Sequence, residues 1–412
     1  LYSTEAKRFE EIVYFQALDD KKECVGIYLD GRLNFDENTF PDTLSEMRTW
    51  RYSGFLNDES IEYGWFLALG KTLKECCPEY LLEDLVKFEK KMNAYKKSFE
   101  IAKINFRDHC FFDLVPHDFL VSFLEMKNRI TQHVFDTYEK PAIYDHLVAV
   151  EKLLYKIRYQ SLNINNQNAR ALFTSSRSRH AAQKLLTGPR HIDYNIFGTR
   201  TGRLSTYPGS FPILTMQKDL RALVKPHNDW FISLDYNGAE ARTVLSLLGE
   251  KQPPGDVHEW NVMNVFKHKG VESREAAKTF FFSWLYNPES SKIEESFYDR
   301  DALLKKYYKD GSIETVFGRT IEVEPYKAVN YIVQSTTADL VNDRAVAIDQ
   351  FLKNRRAFVS HIVHDEIVLD MPDEERYLIP EIKEIFSNNK LDKFVTNLKA
   401  GKDYMDIGVL NL

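Results

Sequence analysis

Two consecutive helix-breaking residues, Gly188-Pro189, divide the chain into regions of different hydrophobic pattern, and this division limits the fold more than any other feature. Before it, from about Leu44 to Lys184, apolar residues recur at intervals of three and four, as in LLEDLVKFEKKMNAYKKSFEIAK and YDHLVAVEKLLYKIRYQSL. That period puts them on one face of each of several helices. After it, short apolar runs bounded by turn residues alternate with helical stretches. WFISLD reads as a strand ending at Asp235, SIETVFGRTIEVEP as a hairpin around Phe317-Gly318-Arg319, and AFVSHIVHDEIVLDMP as a strand pair centred on His364, Asp365 and Glu366. Residues 256–287 read as helix, ended at Asn287-Pro288 because proline lacks the donor that a continuing helix needs. Near the start, ECVGIYLDGRLNF reads as two short strands joined by a tight Asp30-Gly31 turn. The expected class is α+β, a helical lobe followed by a sheet-bearing one, without internal repeats.

At 412 residues the chain exceeds the size at which one core usually stops growing, so two or three subdomains are expected. A hydrophobic content of 43% beside 28% charged residues is the balance of an ordinary globular chain and excludes collagen-like, mucin-like and disordered acidic classes. No apolar run approaches the roughly 20 residues needed to cross a bilayer, and the opening LYSTEAKRFE is too polar for a signal sequence. The expectation is a cytosolic protein with no membrane partner. Cys24, Cys76, Cys77 and Cys110 contain no CxxC pair and read as reduced and structural. The first residue is Leu rather than Met, which points to a fragment or a processed product. A formal net charge of -6 argues against indiscriminate coating of nucleic acid, but local clusters decide what one groove binds. Basic residues gather in KFEKKMNAYKK (87–97), in SSRSRHAAQK (175–184) and around Arg200 and Arg203.

The chemistry concentrates in three places. Asp235 and Asp365 each follow an apolar strand-like run, so both carboxylates fall at strand ends. Two hard oxygen ligands at the rim of one sheet, completed by water and phosphate oxygens, suit magnesium. Two ions about 4 Å apart can then activate an attacking hydroxyl and stabilise a leaving phosphate. Either Asp alone reads equally well as a turn cap. The third place is SREAAKTFFFSWLYN, in which Arg274, Lys278, Phe282 and Tyr286 recur every four residues and form one stripe on a helix. The stripe runs for roughly 18 Å at 1.5 Å per residue, about the length of an extended nucleoside triphosphate. Its cations suit phosphates and its rings a base or sugar. An amphipathic helix with buried rings and snorkelling cations fits the same letters.

Taken together and in order, these segments resemble the family A DNA polymerases, whose relatives include bacterial DNA polymerase I and many bacteriophage replicases. TRTGRLST (199–206) resembles the family's TxTGRLSS, and SLDYNGAEARTVLSLLG (233–249) its first carboxylate motif, DYSQIELR. REAAKTFFFSWLY resembles the helix RxxxKxxxFxxxY, and VHDEIV (363–368) the second carboxylate motif. DVH (256–258), GRT (318–320) and NYIVQSTTAD (330–339) fall where the family has DIH, GRR and NAPMQGTAAD. The match covers roughly residues 110–412.

The resemblance implies a right-hand fold with an antiparallel-sheet palm, helical fingers and a helical thumb. Residues 1–100 would be an N-terminal region of unassigned role (a small hairpin plus helices), 101–190 the thumb, 191–250 the first part of the palm, 251–320 the fingers and 321–412 the second part of the palm. It implies template-directed DNA synthesis, with primer-template DNA and dNTPs as partners and two Mg2+ ions, or Mn2+ in their place, as cofactors. Residues 1–100 are expected either to extend the thumb or to dock a replication accessory protein, which would be a further partner, and a phage-infected bacterial cell is the expected setting. Residue by residue, Asp235 and Asp365 would bind the metals with the carbonyl of Tyr236, and Glu366 would sit close beside them. Arg274, Lys278 and His258 would hold the triphosphate and Phe282 would pack on the incoming sugar. Glu240, paired with Tyr286, would exclude a ribose 2′-hydroxyl. Arg203, Asn330, Gln334 and His364 would contact the primer end or the minor groove.

Ser283 and Asn287 stand where the family commonly has Gly, Tyr326 stands where the bacterial enzyme has Arg, and the stretch from Pro288 to Gly311 is short, which implies a reduced fingers lobe. Residues 1–190 hold no DxE pair of the kind a proofreading exonuclease needs, so no proofreading is expected of this chain. A single-subunit RNA polymerase is the nearest rival reading and would lack Glu240 in this setting. A DNA-binding module with decayed catalysis would have lost a carboxylate, and a two-metal nuclease would leave the Arg274 to Tyr286 stripe without purpose.

Overall fold

The computed structural model describes residues 12–18, 26–41, 47–54, 56, 60–104, 106, 109–165, 176–287 and 297–410. The chain separates into two compact units, residues 1–144 and 145–412. The change of texture at Gly188-Pro189 therefore lies inside the second unit. Cys24 and the stretch 288–296 fall outside the described residues, and Cys76 and Cys77 are thiols that form no disulfide. Among the described residues no helix is long and apolar enough to cross a membrane.

In the first unit, strands β1 (Phe15–Ala17), β2 (Ile27–Leu29) and β3 (Arg32–Asn34) form an antiparallel sheet in that order. The β2–β3 turn is the expected one. Asp30 and Gly31 both have positive φ, 48° and 75°, which is the mirror-image turn whose twist matches paired strands. Helices α1 (Glu79–Ile101) and α2 (His117–Thr137) follow. α1 buries only Leu81 and Leu85, one turn apart, and its Phe88, Met92, Tyr95 and Phe99 join Phe119, Leu120 and Leu124 of α2 in one cluster. The expectation of mostly helix from Leu44 onward is too generous. Arg48–Thr49 pairs in parallel with Glu62–Tyr63 instead, because buried Tyr63, Trp65 and Phe66 pack ring to ring, centroids 5.3–6.0 Å apart, around a helix of one turn, Gly64–Leu67.

The second unit opens with helix α3 (Tyr144–Tyr159, its first residue shared with the boundary). Its centre is a five-stranded antiparallel sheet. β4 (Trp230–Tyr236) is the middle strand, flanked by β9 (Glu366–Met371) and β10 (Thr396–Gly401), with β8 (Phe358–Val363) and β11 (Ile407–Val409) at the edges. Side chains alternate across the sheet. One face presents Ile232, Leu234 and Tyr236 of β4 with Ile367, Leu369 and Met371 of β9, all buried, against the long helix α7 (Pro325–Phe351) and α8 (Ile379–Ser387). The other face carries Ser233 and Asp235, Glu366 and Val368, and Asn397 and Lys399, aligned by register.

Between β4 and α7 lie α4 (Ala239–Leu248), α5 (Val257–Asn264), α6 (Arg274–Tyr286) and a small sheet of β5 (Tyr308–Lys309), β6 (Ser312–Glu314) and β7 (Thr320–Glu322). These elements share one apolar core with the start of α7. The helix expected over 256–287 is interrupted after Asn264, where α5 ends; a short 3-10 turn, Lys267–Lys269, closes on Gly270 at φ 73°, and helix restarts where the Ser273 side chain accepts from the Ala276 amide, a side-chain N-cap. The β6–β7 hairpin is as expected, with Gly318 at φ 78° in its turn.

Candidate active site at the end of the central sheet

Asp235 is the penultimate residue of β4; its cross-strand partner is Glu366, and Asp365 immediately precedes Glu366 in the two-residue β8–β9 turn. His364 in that turn takes φ 59°, a conformation L residues adopt at a cost and one that recurs at functional sites. The antiparallel register thus brings together two acids 130 positions apart in the chain. Their proximity shows electrostatically. Burial, and then the charge of Asp365, push the Asp235 carboxyl from 3.8 up to about 7, against the opposing hydrogen bond from Asn397 (3.3 Å) and the charge of Lys399. Glu366 accepts from two hydroxyls, Ser233 (2.5 Å) and Tyr404 (3.1 Å). Tyr236 turns its ring to the opposite face, stacked on Phe386 with centroids 4.1 Å apart, so only its backbone can serve the site.

The backbone after Asp235 is shaped by two residues. Gly238 adopts φ 67°, and a Cβ there would lie 2.3 Å from the Val257 side chain. Arg242, wholly buried, donates to the Asn237 carbonyl (2.7 Å), the Pro253 carbonyl (3.0 Å) and the Gly255 carbonyl. Asn237 in turn donates to Asp256 (2.7 Å), the N-cap of α5, and Asp256 receives Arg274 at 2.9–3.0 Å. Although burial works against it, these donors hold the Asp256 carboxyl well below the usual range. The start of α6 is therefore tied to the sheet end through a single carboxylate.

His258 lies beside this junction, nearly inaccessible to solvent. Burial lowers its pKa from 6.5 to about 4, against the pull of Asp256 and with the help of Arg274 and Lys278, so the ring is neutral near pH 7. Its Nδ1 has no hydrogen-bond partner. Lys278 is exposed, and Phe282 is partly buried against the core. Tyr286 is exposed and stacked on Phe282 (5.9 Å, 19°).

Glu240, in the first turn of α4, departs from the expected pairing with Tyr286. It accepts from Arg203 at 2.7 Å, while the Tyr286 hydroxyl accepts from Gln334 at 3.0 Å. The physical reason is charge. A carboxylate that burial and Asp365 push toward protonation gains more from a guanidinium than from a phenol. Asn330 also faces inward, with an unpartnered buried oxygen. Arg203 itself is placed by Gly202 (φ 76°), whose Cα packs on Arg319: a Cβ there would lie 2.6 Å from the guanidinium carbon. Arg319 makes a two-pronged ion pair with wholly buried Asp339 (2.7 and 2.8 Å). Thus TGR, GRT and the end of NYIVQSTTAD meet in space.

Sequence reasoning missed Asn397, Lys399, Tyr404 and the structural use of Arg242. The first three come from β10 and the β10–β11 turn, where the letters carry no motif, and only strand register could have found them. Among the described residues no group of three or more His, Cys, Asp and Glu side chains forms a ready-made ion cage. A site of two carboxylates suits a magnesium ion whose remaining ligands are water and phosphate, and a cation would relieve the repulsion that raises Asp235. The donor set fits such an ion.

No protein-family model matches the chain. In sequence it is 26% identical over 238 residues to DNA polymerase I, thermostable, of Thermus aquaticus, covering 46% of this chain and 29% of that protein. It is 24% identical over 243 residues to DNA polymerase I of Chloroflexus aurantiacus, covering 46% and 26%. The chain thus spans under a third of the length of these curated relatives. In fold it matches the POL domain of Pol1 from M. smegmatis, solved in complex with DNA primer-template and dNTP, with a TM-score of 0.64 at 14% identity over 96% of both chains. The α+β architecture is that of a DNA polymerase I polymerase domain. By motif, by sequence and by fold, the chain is similar to the family A DNA polymerases.

Proposed function

We propose that the chain carries out template-directed DNA synthesis. The primer 3′-oxygen attacks the α-phosphorus of a bound dNTP, the bond to the leaving pyrophosphate breaks, and the hydroxyl proton passes to solvent. The observation that carries this reading is the meeting of Asp235 and Asp365 at one end of the central sheet, close enough for the charge of Asp365 to act on the Asp235 carboxyl. Two divalent ions, Mg2+ or Mn2+, held by those carboxylates and the Tyr236 carbonyl, would supply the charge that lowers the cost of ionising the hydroxyl and releasing pyrophosphate.

The remaining roles belong to the protein's own groups. Arg274 and Lys278 neutralise the triphosphate, with the neutral ring of His258 as a hydrogen-bonding neighbour, and Phe282 packs on the sugar. Glu240 sits where a 2′-hydroxyl would need room and so selects deoxynucleotides. Arg203, Asn330, Gln334 and His364 contact the primer end or the minor groove, where acceptors occur in every correct pair. To make those contacts, Arg203 and Gln334 exchange their hydrogen bonds to Glu240 and Tyr286 for bonds to DNA. The sheet and its helices form the palm, the region from about 251 to 320 the fingers, and part of residues 101–190 the thumb.

The test is primer extension with matched deoxy- and ribonucleotides on DNA and RNA templates, with and without magnesium. Deoxynucleotide addition on DNA that disappears in Asp365→Ala, while the variant keeps its circular dichroism spectrum, is the expected result. Undiminished extension by the variant refutes the assignment. Preferential ribonucleotide addition would favour the RNA polymerase alternative.

A further inference from the structure

The second carboxylate motif contains an acid that the two-carboxylate chemistry leaves unused. Glu366 opens β9 directly opposite Asp235, yet both its oxygens are taken by protein hydroxyls: Ser233 Oγ donates to one at 2.5 Å and the Tyr404 hydroxyl to the other at 3.1 Å. Ser233 shares the sheet face of Asp235, two residues away. Tyr404 arrives from the far end of the chain, in the β10–β11 hairpin turn, and several contacts serve to place it.

Asp403 closes that turn, accepting from the amides of Met405 (3.0 Å) and Asp406 (2.7 Å) and from Lys225 Nζ (2.8 Å). The Tyr404 amide donates to the Val224 carbonyl at 3.0 Å. Gly401 permits the fold-back, because a Cβ there would lie 2.1 Å from the Asp406 carbonyl oxygen. The Tyr404 ring is then 3% exposed, edge-on to His361 (4.7 Å) and Phe231 (6.4 Å), with the Arg221 guanidinium 4.7 Å over its face.

A phenol buried this deeply needs a partner for its hydroxyl, and the partner it reaches is the acid beside Asp365. A carboxylate in that place with free oxygens could rotate among several rotamers and compete with its neighbours for whatever binds them. Two directional donors remove that freedom.

We propose that Tyr404 is a positioning residue: its hydroxyl, with that of Ser233, holds Glu366 against the sheet face, so that Asp235 and Asp365 are left to face the reacting atoms. The inference rests on the reading of the site as a nucleotidyl-transfer centre and adds to it a residue from the last hairpin of the chain. Tyr404 touches neither substrate nor metal and acts only through Glu366.

Tyr404→Phe removes the hydroxyl and keeps the ring. In the full chain, kcat for primer extension is expected to fall about tenfold, the low end of what one hydrogen bond to a charged group contributes. The KM for dNTP and the affinity for primer-template stay unchanged. In a Glu366→Ala background the same substitution costs nothing further. A second cycle, read by thermal unfolding without substrate, uses the same four proteins and is expected to show coupling between Tyr404 and Glu366. Additive unfolding shifts, or an active wild type whose kcat ignores Tyr404→Phe, overturn the inference alone. A wild-type chain that extends no primer overturns the functional reading and this inference with it.

Discussion

Asp235→Asn is expected to stabilise the metal-free protein at pH 8 and to leave it no more stable than wild type near pH 4. In the folded chain the Asp235 carboxyl is raised from 3.8 to about 7, by burial first and by Asp365 second, whereas in the unfolded chain it titrates at its ordinary value. Between those two values the folded state binds more protons, so stability falls as pH rises through the window from about 4 to about 7, and it is flat above that. At 1.36 kcal/mol for each tenfold change in proton affinity, the ceiling is about 4 kcal/mol. Asp235 is only partly buried and solvent screens it, so about 2 kcal/mol is the expected gain. An asparagine at this position is neutral at every pH and can still accept from Asn397 through its amide oxygen. Chemical or thermal unfolding in chelator at pH 4, 6 and 8 measures the effect, and about 2 kcal/mol should move the midpoint by roughly 4–8 °C. Added magnesium should then stabilise wild type and leave the variant unmoved, because ligands that bind only the folded state raise its stability by mass action. An Asp235→Asn chain less stable than wild type at pH 8, or a difference that does not change with pH, would refute the claim that the two acids strain one another.

Other consequences follow from the neighbouring contacts. Glu240→Ala should admit ribonucleotides more readily and free Arg203, and unchanged sugar discrimination in competitive primer extension would remove Glu240 from the selecting role. Asp339→Asn leaves the buried Arg319 without its countercharge, at a cost of about 3 kcal/mol; a melting midpoint within 2 °C of wild type, where roughly 6–12 °C is expected, would show the pair to be dispensable. Gly202→Ala forces a Cβ into the Arg319 guanidinium at positive φ, for at least about 1–2 kcal/mol, and should weaken primer-template binding through the displaced Arg203; full affinity in a fluorescence anisotropy titration would separate the two.

Much of the site was legible before any coordinates because its parts are local. A strand that ends in an acid, a turn of His364 and Asp365, and a helix whose cations and rings repeat every four residues are each properties of a dozen consecutive letters. The α+β class, the Asp30-Gly31 turn and the hairpin around Gly318 were legible for the same reason: backbone preference acts within a few residues. Where the reading was off, a competing influence intervened. Tyr63, Trp65 and Phe66 went to a local knot around a one-turn helix rather than to the face of a long one, and the chain left the helix after Asn264 where periodicity alone would have continued it.

What the letters determined by themselves is which chemical groups exist and which short elements carry them. Only the tertiary structure decided who meets whom. That Asp235 faces Glu366 rather than Val368 is a matter of strand register, in which a slip of one residue would send every side chain to the opposite face. That Glu240 takes Arg203, and Tyr286 takes Gln334, is settled by competition among donors and acceptors brought together from distant segments. That Tyr404 reaches Glu366 depends on a terminal hairpin folding back across the sheet. Burial likewise belongs to the assembled molecule: the same aspartate that titrates near 3.8 in an open chain is held near 7 at the sheet end, because its charge is set by how much water and how many other charges the fold leaves around it.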